Sequence, residues 1–333
     1  MRACDPPAGV ERGFPLARLT TVRTGGPADF FARPRRTGEL EELLEWAARA
    51  GVGVGVVGSG SNLLVADAGF RGLVLKLEGE LATIEREGDR LRCGGGARLP
   101  QASARAAREG LTGLEFGVNI PGTVGGAVRM NANAYGGDLT RVLDWTEIVS
   151  ADGRERRVPA QLGLAYRRSA LEPGDIVAHA CFRLEPADPA AVKRTLADMR
   201  ARRREAQPSG IKTFGSTFKN PDDPRAEGRT AGVLLDAAGC RGLEVGGARF
   251  SPKHANFVEN VGDATTASVL ALMAEGRRRV RDRFGVELEA EVQILGDVEE
   301  QVGSAAGGDR QPAVGDRRRL TDLLGVHGGH RVR

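Results

Sequence analysis

The stretch from Gly113 to Gly137 constrains this chain more than any other. It reads Gly-Leu-Glu-Phe-Gly-Val-Asn-Ile-Pro-Gly-Thr-Val-Gly-Gly-Ala-Val-Arg-Met-Asn-Ala-Asn-Ala-Tyr-Gly-Gly. Glycines fall at Gly113, Gly117, Gly122, Gly125, Gly126, Gly136 and Gly137, interleaved with Asn119, Pro121, Thr123, Asn131 and Asn133. So many flexible residues make a poor helix interior, and the alternation is too weak for a plain strand. A surface loop is the simplest alternative, yet Ile120, Val124, Ala127, Val128 and Met130 are costly to leave in water. Glycine reaches positive φ and lets a ligand come close, so that bare N–H groups can face an anion. A buried segment rich in glycine and donors therefore reads as a cradle for a pyrophosphate-bearing cofactor.

A chain of 333 residues has room for two or three domains. No run of 18 apolar residues occurs, and Met1-Arg-Ala-Cys-Asp-Pro-Pro7 has no apolar core of the kind a signal peptide needs. The expectation is a cytoplasmic protein with no membrane partner. Cys4, Cys93, Cys181 and Cys240 stand singly, which argues against a zinc site or a disulfide framework, and no metal is expected. The net charge is +4, and all but five of the 48 basic residues are arginine, spread among 44 acids. A nucleic-acid binder would show a basic stripe with stacking aromatics. Here the excess gathers in short runs, Arg202–Arg204 and Arg317–Arg319, of the kind found on solvated faces and tails.

A second glycine segment, Val52-Gly-Val-Gly-Val-Val-Gly-Ser-Gly-Ser-Asn-Leu-Leu-Val65, matches G-x-G-x-x-G at Gly53, Gly55 and Gly58. In a dinucleotide fold those glycines follow a strand and open a helix. Here they lie within the β-branched run, and no helix start follows, so the Rossmann reading is weak. The Gly58–Asn62 turn still reads either as an anion nest or as a serine-rich turn.

Elsewhere the periodicity predicts helices from Thr37 toward Gly51, from Pro100 to Glu109, from Pro189 to Ala206, from Arg229 to Ala238 and from Thr266 to Phe284. Strands are predicted around 73–77, 83–86, 90–93, 145–150, 176–184 and 287–295, the last carrying Glu291. Residues 1–15 read as a flexible leader and 297–333 as a disordered tail.

Taken together, eight segments resemble the UDP-N-acetylenolpyruvoylglucosamine reductase family over about residues 16–296. They are Thr24–Ala28, Gly58–Leu64, Ile120–Ala127, Asn131–Gly136, Tyr166-Arg167, Gly215–Pro221, His254–Phe257 and Glu291-Val292. Each alone is a soft signal, but all stand in the family's order. The resemblance implies an α+β fold of the vanillyl-alcohol-oxidase (PCMH) FAD-binding type. Two FAD-binding subdomains, 16–79 and 80–207, would precede a smaller α/β substrate-binding domain at 208–296.

The resemblance also implies the chemistry. NADPH would reduce non-covalent FAD, which would reduce the enolpyruvyl group of a UDP-sugar, completing UDP-N-acetylmuramate for peptidoglycan. Ser216 matches the family's proton donor, and a hydroxyl needs a polarised site to act as an acid. Arg167 and Glu291 match the pair that stabilises the enol-like intermediate. A guanidinium suits growing negative charge, whereas Glu291 must be protonated or paired, which requires a raised pKa. Cofactor contacts are expected from Gly58, Ser59, Gly60, Ser61, Asn62 and Leu63, and from Pro121, Gly122, Thr123, Gly125, Gly126 and Ala127. Substrate contacts are expected from Tyr135, Tyr166, Lys219, Asn220, His254 and Asn256. Taken singly, Ser216 would be a backbone cap, Arg167 a strand-end ion pair and Glu291 an edge acid.

Only 48 residues separate Arg167 from Ser216, and the only tyrosines are Tyr135 and Tyr166. The chain therefore resembles the family's short form, which lacks a tyrosine-bearing lid, and a monomer is expected. Two departures stand out: Phe214 before Gly215, and Asn133 where glycine is commoner. The nearest rival is another flavoenzyme of the same fold acting on a sugar or hydroxy acid. A basic nucleic-acid-binding protein is the distant one.

Overall fold

The structure, a computed structural model, describes residues 5–298. Residues 299–333, nearly all of the expected tail, and the first four residues of the expected leader lie outside the described residues.

The first unit holds β1 (Glu11–Pro15), β2 (Pro27–Ala32), α1 (Thr37–Ala50), β3 (Gly53–Val56), β4 (Leu63–Val65) and β5 (Phe70–Leu75). Its sheet runs β1-β2-β5-β3, parallel except where β1 meets β2. The leader expectation fails at its end, because Glu11–Pro15 pairs along β2 and Phe14 stacks on Phe31 with centroids 4.0 Å apart. That strand has little pattern of its own; its partner creates it. Leu40, Leu43, Leu44 and Ala47 form the buried stripe of α1, and Gly51 ends the helix at φ 65°. Such a left-handed cap suits glycine because it has no Cβ to clash. Gly53 and Gly55 lie inside β3 and a turn follows Val57, so the glycine fingerprint does not open a helix.

The second unit contains β6 (Ile84–Glu87), β7 (Arg90–Gly94), α2 (Leu99–Arg108), β8 (Leu111–Thr112), α3 (Val124–Arg129), β9 (Asn133–Ala134) and β10 (Gly137–Asp138). It continues through β11 (Leu143–Ser150), β12 (Gly153–Arg157), β13 (Ile176–Arg183), β14 (Glu185–Pro186) and α4 (Pro189–Ala206). An antiparallel sheet, β12-β11-β13-β7-β6, packs Leu91, Ile148, Val177 and Phe182 against α2 and α3. The hairpin β9–β10 and the pair β8–β14 complete it.

The six-residue α3 inside the glycine run contradicts the expectation drawn from propensity. Thr123 caps it by accepting from the Gly126 N–H at 3.3 Å, and Val124, Ala127 and Val128 are buried. A Cβ on Gly125 would lie 3.1 Å from the Gly95 carbonyl oxygen, so close packing outweighs the weak intrinsic helix preference.

The third unit holds α5 (Ala231–Ala237), β15 (Glu244–Val245), β16 (Ala248–Phe250), β17 (Val258–Asn260), α6 (Thr266–Phe284) and β18 (Gln293–Leu295). Val269, Leu272, Met273 and Val280 bury the inner face of α6, and Gly285 closes it at φ 68°. At its N-terminus the Asp67 carboxylate accepts from the Thr266 and Ala267 N–H groups, each at 2.8 Å. A carboxylate there offsets the positive end of the helix dipole.

The strand expected over 287–295 shrinks to β18 and a bridge between Ala290 and Phe218. β18 pairs in parallel with β4 of the first unit, and Val22 and Leu64 share a core with Phe214, Phe218, Leu235 and Met273. Phe214, one of the two departures that stand out in the sequence, is an ordinary core residue at 1% exposure.

Candidate active site

The turn after β3 faces the approach to α3. The Ser59 hydroxyl donates to the Pro121 carbonyl, and the Ser61 hydroxyl donates to the same oxygen at 2.9 Å. Lys76 Nζ lies behind, 3.2 Å from the Gly58 carbonyl. Gly60 has φ 65°, and a Cβ there would collide with the Leu19 carbonyl; one on Gly58 would lie 2.6 Å from Thr123 Oγ1. Among the described residues, the N–H groups of Ser59, Gly60, Ser61, Gly122 and Thr123 have no protein acceptor. Unpaired backbone donors over glycines are what a diphosphate requires. Of the remaining expected contacts, the Gly125 N–H is taken by the Gly95 carbonyl at 2.8 Å, and the Gly126 N–H by Thr123. Ala127 is buried core, and Leu63 packs beside Val65 and Phe31.

Asn62 links this cradle to the far end of the chain. Its carbonyl accepts from Gln293 N–H at 3.2 Å, and its amide donates to the Glu291 carbonyl at 3.3 Å. The Glu291 N–H in turn donates to the Thr217 carbonyl at 2.9 Å, so the residue after Ser216 is tied to Glu291. Gly215, at φ 84°, runs past the Ser61 carbonyl and brings Ser216 beside the cradle. Ser216 is half-buried, and its hydroxyl has no protein partner among the described residues.

Arg167 reaches Glu291 from the second unit, with Nε 2.6 Å from Oε1. It does so from a strained backbone, φ 54°, in the turn bridged by Ala165 and Arg168. Its Nη1 donates to Asn133 Oδ1 at 3.0 Å, while Nη2 has no hydrogen-bond partner among the described residues. Burial pushes the Glu291 carboxyl above its ordinary range, and Arg167 and Lys219 offset that only in part. The result is a carboxyl that holds its proton more readily than a surface glutamate, next to a guanidinium with one free edge.

The remaining expected residues divide into two groups. Tyr135, at φ 53°, and Tyr166 are exposed, and the Tyr135 hydroxyl accepts from Asn119 Nδ2 at 2.8 Å. Lys219 pairs with Glu289, and Asn220 accepts from the Ala231 N–H at 3.2 Å, at the start of α5. Asn256 is buried, with its amide committed at both ends to the Phe218 backbone, each bond 2.9 Å. His254 accepts from the Asn256 N–H at 3.2 Å and packs edge-on to Phe257. Burial holds its pKa below the ordinary imidazole value. His254 and Asn256 thus shape the Ser216 segment from behind.

The sequence reading missed Gly94 and Gly95, whose Cβ positions are filled by the Leu81 and Val177 backbones, and it missed Arg129. Arg129 Nη2 donates to the Asp175 carbonyl at 2.7 Å, fixing the loop that follows Arg167. The Cys93-Gly-Gly-Gly-Ala97 run was the available signal for the glycines; a lone arginine gives none.

Residues 28–159 match an FAD binding domain family, and residues 207–295 match the C-terminal domain of UDP-N-acetylenolpyruvoylglucosamine reductase. UDP-N-acetylenolpyruvoylglucosamine reductase 2 of Symbiobacterium thermophilum is 46% identical over 292 residues, spanning 87% of this chain and 93% of the relative. The reductase of Rubrobacter xylanophilus is 44% identical over 286 residues, 85% of this chain and 94% of the relative. The crystal structure of the corresponding Thermus caldophilus enzyme aligns with a TM-score of 0.74 at 36% identity. That alignment covers 86% of this chain and 98% of the other.

Proposed function

The chain belongs to the UDP-N-acetylenolpyruvoylglucosamine reductase family, an FAD-containing oxidoreductase family, and from that premise we propose how its own residues carry out the reaction. The substrate is UDP-N-acetylglucosamine enolpyruvate and the product UDP-N-acetylmuramate, a peptidoglycan precursor. The Gly58–Leu63 turn and the Pro121–Ala127 segment hold the cofactor, whose diphosphate fits the unpaired donors and glycine surfaces of the cradle. When bound, FAD supplies the hydride that it takes from NADPH. Among the described residues neither histidine, His179 or His254, lies in the cradle, which supports non-covalent attachment.

Once hydride has added to the enolpyruvyl double bond, negative charge spreads onto the adjoining carboxylate, and a proton must reach the neighbouring carbon. Arg167 takes that carboxylate on its free Nη2 edge. Glu291, whose carboxyl burial shifts toward the protonated form, donates in that form a hydrogen bond to the same growing charge instead of repelling it. The unpartnered Ser216 hydroxyl gives the proton. Tyr135, Tyr166, Lys219 and Asn220 line the path of the UDP-sugar, and His254 and Asn256 hold the Ser216 segment in place. Residues 208–296 form the substrate-binding domain. The observation that carries this assignment is the 2.6 Å contact between Arg167 and Glu291, residues 124 apart in the chain and joined through Thr217 to Ser216.

We also infer a cytoplasmic monomer. Cys93, Cys181 and Cys240 are buried and free, and no helix of the described residues is long and apolar enough to cross a membrane. Sedimentation of the purified chain checks its mass.

The test of function is an anaerobic absorbance titration. NADPH bleaches the flavin bands, and the enolpyruvyl substrate restores them. In Ser216→Ala, bleaching persists while restoration is lost. Flavin reoxidised by air alone would favour the rival oxidase reading.

A further inference from the structure

The Asn133 side chain is engaged at the site. The strip from Arg129 to Asn133 lies along the 165–175 segment and grips it at successive points. Arg129 Nη1 and Nη2 reach the Leu171 and Asp175 carbonyls at 3.2 and 2.7 Å. Asn131 Nδ2 reaches the Ala165 carbonyl at 3.1 Å, and Asn133 Oδ1 takes the Arg167 Nη1 bond at 3.0 Å. The Asn133 main-chain carbonyl is a poorer partner for the same nitrogen, at 3.4 Å. A glycine would leave only that longer contact.

We infer that Asn133 is a positioning residue, acting through Arg167, that fixes which edge of the guanidinium meets the substrate. The guanidinium is a rigid plane with donors in fixed directions. With Nε on Glu291 and Nη1 on the Asn133 amide, both rotation and sliding are blocked and Nη2 is left free. Without the amide, the plane can turn toward Glu291 and present two N–H groups to it, a strong bidentate arrangement for a carboxylate. That movement withdraws Arg167 from the substrate and stabilises ionised Glu291. This inference rests on the proposed roles of Arg167 and Glu291.

The groups facing Glu291 are Arg167 from the 165–168 turn and Lys219 from the Ser216 segment, with Glu289 on Lys219. Asn133→Ala and Asn133→Gly change none of these charges, and Asn133 lacks a positive φ, so neither substitution strains the backbone. The expected results separate the two halves of the reaction. In both variants, holoenzyme flavin is reduced by NADPH at the wild-type rate. Its reoxidation by UDP-N-acetylglucosamine enolpyruvate is about tenfold slower, the scale of one hydrogen bond to a charged group. The high-pH limb of reoxidation moves to lower pH. Asn133→Asp, which keeps an acceptor but adds a second carboxylate beside Arg167, moves that limb to higher pH.

Variants that match an active wild type in rate and limb overturn the inference alone. Parallel loss of both half-reactions overturns it too, since that is the mark of general damage. A wild-type protein whose NADPH-reduced flavin is not reoxidised by the substrate removes the functional reading, and this inference with it.

Discussion

Glu291 shows how surroundings alter the chemistry of an ordinary residue type. Its carboxyl is raised by burial, so it remains protonated to higher pH than a surface glutamate. The rate of substrate reduction should therefore fall as pH rises through that raised value. Glu291→Gln cannot ionise, so its profile should lack this limb while its rate stays below wild type at low pH. Single-turnover reoxidation measured across pH checks both outcomes. The proposed roles of Arg167, Glu291 and Ser216 came from motifs in register alone. Nothing in their own neighbourhoods announced that an arginine and a glutamate 124 positions apart would touch. Asn133 was visible as an oddity, but its partner was not, because a hydrogen bond between two turns leaves no periodic trace.

Elements were legible where local chemistry alone decides them. α4 and α6 match their expected limits because each has a polar N-cap and an apolar face, and Gly285 stops α6. β1, α3 and the shortened 287–295 strand were misread, because each owes its form to a distant partner: β2, the Gly95 strip and β4. Glycines that permit an element can be separated from those that merely occupy it. Gly60→Ala should force the Ser59–Ser61 turn away from the Leu19 carbonyl and release the cofactor, read as a lower ratio of flavin to protein absorbance after purification. Gly285→Ala, by contrast, should cost about 1 kcal/mol by straining the α6 cap while leaving flavin content unchanged, as thermal denaturation would show. Burial lowers the pKa of His179 and His254, so both favour the neutral ring in the fold. The unfolded chain then binds more protons below the ordinary imidazole value, and the melting temperature should drop as pH falls through that range.

At the scale of the whole molecule, the units share cores across their boundaries. Val149, Ile176 and Ala178 of the second sheet share a core with α1, and Val22 and Leu64 share one with α5 and α6. Leu235→Ala, at the centre of that last core, should cost about 2–5 kcal/mol. Its effect should also reach the flavin, because the same core braces the strand after the cradle. The domain division expected from the sequence could not reveal this sharing, since composition carries no record of which distant surfaces meet.

The parallel pairing of β4 with β18 has a consequence for manufacture. A ribosome releases Asn62 long before Glu291, 229 residues later, so a growing chain carries half a cradle for most of its synthesis. Closing so long a loop is slow and entropically costly. Nascent chains arrested before Gln293 emerges should not retain flavin through gel filtration, whereas chains arrested after Leu295 emerges should. Loading before Gln293 emerges would show that the cradle is complete without its last strand. If the expected order holds, no partly made copy can draw on the cell's flavin supply.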